Sequence, residues 1–186
     1  MSAAPIENPR PADVIAFWRA AGPEKWFAKD DAFDRAIRDG FEAARARALR
    51  GEFDAWRAHA EGALALILLL DQFSRNLYRG SPRAYEADPT ALSIAREALQ
   101  SGFDGQIEPA LRLFFYLPFM HAENLRDQAL CVALCYPLFD SNVLWFAREH
   151  ERIIRRFGRF PHRNEVLGRH TTPAEQAYVE GGGFAG

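Results

Sequence analysis

Lysine is nearly missing from this chain. Of its 23 lysines and arginines only Lys25 and Lys29 are lysine. Almost all the positive charge is therefore guanidinium, which suits two-pronged contacts with carboxylates or phosphates, although an arginine-rich genome produces the same bias. Cysteine is equally scarce. Cys131 and Cys135 are four apart in a helical pattern, where a disulfide closes almost no loop, so they read as small buried apolar residues in a reducing cytosol. The start, MSAAPIENPRP, has neither the basic residues nor the apolar run of a signal peptide. The longest strongly apolar run, ALALILLL at 63–70, is too short to span a bilayer. A net charge of -2 provides no global field for nucleic acid or an anionic membrane. A soluble, cytoplasmic protein is expected, with no membrane and no nucleic acid among its partners.

Strand signals are also lacking: there is no sustained alternation and no hairpin dipeptide. Helix signals fill the space. Residues 11–22 start with Pro11 and stop at Gly22. A longer helix from Asp30 or Asp31 to Gly51 aligns Phe33, Ile37, Phe41, Ala44 and Ala48 on one stripe. In DPTALSIAREALQSG, Asp88 reads as N-cap, Pro89 as the first helical residue and Gly102 as the stop. Thr172 and Glu175 form a capping box for TTPAEQAYV. Further helices are expected near 58–77, 107–118, 122–139 and 141–157. The fold class is all-α: one domain over 1–186 of about eight helices in antiparallel pairs. Its core spans about 11–180, between a flexible N-terminal arm and a Gly-rich C-terminal tail. The tail matches G-x-G-x-x-G at Gly181, Gly183 and Gly186, but no strand precedes it and no helix follows, so the match is accidental.

Three polar groups stand oddly in this apolar frame. Asp71, Gln72, Arg75 and Asn76 end the ALALILLL helix, with Asp71 and Arg75 spaced for a helical ion pair. They either tie off the helix end as a polar knot or line a cavity. His121, Glu123, Asp127 and Gln128 follow a second apolar helix after Pro118, where a break or kink is expected. His150 falls on the apolar stripe of 143–157, so it is a packed core residue or, alternatively, a ligand contact or base. Residues 148–170 hold seven arginines against three glutamates. Those within the helix offset its dipole. Arg159, Arg163 and Arg169 lie beyond it, and an anion site at Arg159 and Arg163 is one reading, with Asn164 capping the turn that follows. No Walker A, G-x-S-x-G, H-E-x-x-H or complete zinc deaminase signature is present, and neither a cofactor nor a metal is expected.

LLLDQFSRNLYRG, FYLPFMHAENLRDQ and FGRFPHRNEVLGRHTTPAE, in this order and spacing, resemble the motifs of the bacterial domain-of-unknown-function family 924, from about Val14 to Tyr178. Ser74 departs from the proline common in the first motif. The resemblance implies an all-helical, tetratricopeptide-like fold and supplies no established activity. The leading expectation for function is a binding protein with a polar, arginine-containing groove for a small anionic molecule or a peptide. Its candidate lining is Asp71, Gln72, Arg75, Asn76, His121, Glu123, Asp127, His150, Arg159, Arg163 and Asn164. The alternative is an enzyme with His121 or His150 as base, oriented by Glu123 or Asp127. A weaker alternative is RNA binding through the 148–170 arginines. Nothing in the sequence fixes an oligomeric state.

Overall fold

In the computed structural model, residues 8–138 and 140–184 are described. Most of the expected N-terminal arm and the last two residues of the tail lie outside them. The described residues contain helices and turns and no strand, and no helix among them is long and apolar enough to cross a membrane. They group into two compact units. One runs to Arg79 and resumes over Arg83–Pro118; the other takes Gly80–Pro82 and the residues from Phe119 onward.

The first unit holds α1 (Pro11–Ala21), α2 (Pro23–Trp26), α3 (Asp31–Leu49), α4 (Ala60–Ile67), α5 (Phe73–Leu77), α6 (Asp88–Gln100) and α7 (Pro109–Arg112). Asp30 caps α3, its Oδ1 accepting the N–H groups of Ala32 and Phe33 at 2.9 and 3.0 Å. The stripe Phe33, Ile37, Phe41, Ala44 and Ala48 is buried as its spacing requires. Between α4 and α5 the chain widens into a π-helical turn, Leu68–Gln72, closed by the Phe73 N–H on the Leu68 carbonyl. Every residue from Ala63 to Leu70 is buried. This apolar rod is packed by α1, α3 and α6 and by a 3-10 turn at Asp54–Ala58. Around Phe73 and Trp18 the core is aromatic: Phe73 lies 5.5 Å from Trp18 and 5.3 Å from Phe41, and Trp18 lies 5.5 Å from Phe114.

Two elements differ from the sequence expectation. Residues 107–118 are not one helix but α7, a 3-10 turn at Leu113–Phe115 and the single turn α8 (Leu117–Met120). Pro118 is the physical reason. Having no N–H, it leaves the Phe114 carbonyl without its helical donor, and the chain tightens just before it, with Tyr116 N–H on Leu113 O at 2.8 Å. Asp88 is not the N-cap of α6, because the helix begins with it, and its carboxylate is used elsewhere (below).

The second unit is built on α9 (Leu125–Cys135) packed against α10 (Ser141–Phe157), followed by a loop and α11 (Pro173–Glu180). Asn124 and Asp140 cap the two long helices through their side-chain oxygens. Gly158, with φ 72°, closes α10 in the left-handed conformation that glycine adopts without strain. Ile153, Ile154 and Phe160 form its buried centre, with Phe157, Tyr178 and Phe184 against it. The glycine-rich tail thus turns back: Phe184 N–H donates to Tyr178 Oη at 3.0 Å. Cys131 and Cys135 are free and buried, their sulfurs 3.8 Å apart.

The tightest backbone approach is at Gly62 on α4, where any Cβ would overlap the carbonyl group of Trp56. Gly62→Ala is therefore expected to destabilise by about 1–3 kcal/mol despite the better helix propensity of alanine. Chemical denaturation measures it, and a gain in stability would contradict the contact.

Candidate functional site

The first polar motif is a connected knot. Asp71, Gln72, Ser74 and Asn76 are all buried. Arg75 lies against Asp71 at 3.0 Å and takes Asp88 with both terminal nitrogens at 3.1 Å, while also donating to the Asp71 carbonyl at 2.9 Å. Gln72 donates to Asp71 Oδ2 at 2.6 Å. Burial works against the Arg75 charge, but Asp71 and Asp88 outweigh it and hold its pKa above the ordinary value. Asn76 donates to Asp34 at 2.7 Å, and Arg79 grips the same carboxylate at 2.7 and 3.1 Å. Beside this knot lies Arg45, also buried, which donates to Ser74 Oγ at 3.0 Å and to Glu86 at 2.6 Å.

The second unit uses the same chemistry. Glu123 receives Arg169 through both nitrogens at 2.6 and 3.0 Å and the Phe160 N–H at 2.8 Å. Burial pushes Glu123 up, yet these donors bring its pKa below the usual value. Arg169 also donates to Asn164 Oδ1 and to the Phe160 carbonyl, so it ties the 157–172 loop to the start of α9. Arg159 does not stand open to solution for an anion: it forks onto Glu175 at 2.6 and 2.8 Å and onto the His170 carbonyl. Glu175 also completes the capping box with Thr172, and Arg159 foremost holds it well below the carboxylate range. Arg163 is buried, its guanidinium 4.6 Å from the Phe160 ring centre. Asp127 is buried in the first turn of α9, and the Gln128 amide serves the carbonyls of Met120 and Ala122 at 2.7 Å each.

His150 is a core residue, as its stripe position implies. Its Nδ1 contacts the Phe146 carbonyl at 2.8 Å, which makes Nδ1 the protonated nitrogen, and Phe160 and Phe184 flank the ring at 5.4 and 4.5 Å. Burial pushes its pKa down to about 3, with smaller contributions from His121, Arg163 and His162. Burial likewise lowers His162 to about 4. Such imidazoles are weak proton acceptors at neutral pH, so they make poor general bases.

One open cleft lies wholly within the first unit, beside Asn76. It encloses about 370 Å³ between α3 and α5 and is lined by Lys29, Asp31, Asp34, Arg35, Arg38, Asn76, Leu77 and Arg79. Asp34 is committed to Arg79 and Asn76. Arg38 spends one N–H on the Leu77 carbonyl at 3.0 Å, capping α5. The side chains of Lys29 and Arg35 make no hydrogen bond or close ion pair among the described residues, although Arg35 is near enough to Asp30 to help lower its pKa. Of the residues singled out from sequence only Asn76 lines this cleft. Arg35 and Arg38 look, in sequence, like the solvated face of α3, and Lys29, which precedes it, is set apart only by the scarcity of lysine. No group of histidines, cysteines and acids among the described residues is arranged to hold a metal.

An all-helical protein whose motif residues are arginine–carboxylate joints, with a cationic cleft beside one of them, is the class that fold and site define. The chain belongs to the bacterial proteins of unknown function designated DUF924, whose family model matches residues 14–183. It is similar to a protein of unknown function from Agrobacterium tumefaciens, whose solved structure is 49% identical, covers 92% of this chain and 97% of that one, and superposes with a TM-score of 0.89. No curated protein matches the chain.

The buried imidazoles predict an acid-sensitive fold. In the unfolded chain a histidine takes up its proton near pH 6.5, whereas folded His150 stays neutral to about 3 and His162 to about 4. The unfolded state binds more protons between those limits, so stability falls as pH drops from about 6.5. Glu123 and Glu175, with lowered pKa values, add a further loss at more acid pH as they protonate. Thermal melts should show a midpoint that falls from pH 7 to pH 5. His150→Phe should flatten that slope by about one proton; an unchanged slope would show that His150 is not buried and neutral.

Proposed function

We propose that the protein binds a small anionic molecule in the cleft between α3 and α5. The observation that carries this is the charge balance of its wall. Lys29, Arg35, Arg38 and Arg79 face two acids, and the Asp34 charge is already answered by Arg79. In a chain of net charge -2 this is a local positive focus, and guanidinium forks match carboxylate and phosphate oxygens. A volume of about 370 Å³ suits a small molecule better than a folded partner. A cytoplasmic setting belongs to the same reading, supported by the two free, buried thiols. The tetratricopeptide-like description is supported by helix packing of α3 on α5 and α9 on α10, which is also how such arrays present a binding groove. RNA binding is not favoured, because Arg152, Arg155, Arg159 and Arg169 are each paired with a glutamate.

Thermal-shift titration at low salt with phosphate, pyrophosphate and small di- and tricarboxylates tests the reading. At least one anion should raise the midpoint in a saturable way. Replacing Lys29 and Arg35 together by alanine should leave the unliganded midpoint in place and weaken that anion at least about tenfold, since each lost charged hydrogen bond is worth about 1.5–3 kcal/mol. No response across the series, or an equal response in the variant, would refute it.

A further inference from the structure

We propose that the glycine-rich tail, residues 181–184, is a hinged lid over two imidazoles of the second unit, His150 and His162, shut while both are neutral and released when they take up protons. The proposal is independent of the anion cleft. Glycine makes the hinge. Gly182 has φ 78°, in the left-handed region. A Cβ at Gly183 would lie 2.5 Å from both the carbonyl oxygen and the ring of Tyr178, so the tail turns back only through a residue without one. The turn is closed by the Gly183 N–H on the Tyr178 carbonyl at 2.9 Å and the Phe184 N–H on Tyr178 Oη at 3.0 Å. It delivers the Phe184 ring to His150 at 4.5 Å and to His162 at 5.4 Å, at a steep angle to each. Phe160 meets the same imidazoles at 5.4 and 5.6 Å, so each contacts two phenyl rings.

The groups under this lid keep a latent polarity. His150, on α10, spends Nδ1 on the Phe146 carbonyl. On His162, in the 3-10 turn Pro161–Arg163, Nδ1 is buried with no hydrogen-bond partner among the described residues, which works against closure. Arg163 and His121 oppose a proton on either ring, and Arg169 opposes one on His162. Glu123 favours one there, but it is already held by Arg169 and the Phe160 N–H. The tail itself brings no charged side chain, and Tyr178 Oη beside it faces Glu149 at 3.5 Å. Burial is the largest influence on both imidazoles, holding His150 neutral to about 3 and His162 to about 4; uncovered, each returns toward 6.5. The closed form therefore binds fewer protons, and acid favours opening. With both rings fully uncovered, the opening equilibrium rises about 500-fold between pH 7 and pH 5. Opening presents two imidazoles of nearly ordinary basicity where the closed form presents none.

Nuclear magnetic resonance of the full chain from pH 7 to pH 5 is the test, read on the two imidazoles and on the contact of the Phe184 ring with His150. The contact should be lost on acidification while the methyl shifts of Ile153 and Ile154 hold. Phe184→Ala should bring both imidazole pKa values at least about one unit nearer 6.5. Gly183→Ala, which keeps the phenyl ring but bars the turn, should do the same. Imidazoles that titrate as in the parent in both variants would overturn the proposal. So would a tail contact in the parent that persists until the core methyl signals change with it, and this titration decides even where a variant does not fold.

Discussion

Arg75, shared between Asp71 and Asp88, is the interaction on which the first unit depends. The apolar rod from Ala63 to Leu70 is buried on all sides, so the chain must end it without returning to water. It does so through a π turn and four buried polar residues. A buried carboxylate without a partner costs far more than the helix end gains, which makes the guanidinium obligatory. Asp88 lies on α6 and Asp34, which meets Asn76 and Arg79, on α3. The polar end of one helix is thereby fixed to two neighbours by directed bonds, where apolar packing alone would permit sliding.

The second unit solves a different problem with the same parts. Its long loop after α10 has little regular structure of its own, and two forked pairs hold it: Arg169 on Glu123 and Arg159 on Glu175. Each arginine also answers a backbone carbonyl, of Phe160 and His170 respectively. A lysine offers a point charge and cannot hold a carboxylate in a planar fork while reaching a carbonyl. These joints need the guanidinium.

Much of this was legible in the chain where the physics is local. The ends of α1, α3 and α10 follow from Gly22, Asp30 and Gly158. The Thr172–Glu175 box and the Asp71–Arg75 pair were readable from spacing, and the burial of His150 from its stripe. Long-range partners were not. Nothing in sequence tells Asp88 to serve Arg75 thirteen residues back rather than cap its own helix, nor Arg169 to meet Glu123 forty-six residues away. Pro118 was read as a break, but not that the preceding turn would tighten to 3-10. The cleft was hidden for another reason: Arg35 and Arg38 on α3 have the periodicity of an ordinary wet face, and only tertiary packing sets them around a hollow.

The motif arginines hold the helices and the loop together. A double-mutant cycle on Arg75→Met and Asp88→Asn, read by chemical denaturation, tests this most directly. A structural joint predicts that each single change destabilises and that the pair couples by about 1–3 kcal/mol. Additive losses, or single variants as stable as the parent, would contradict it.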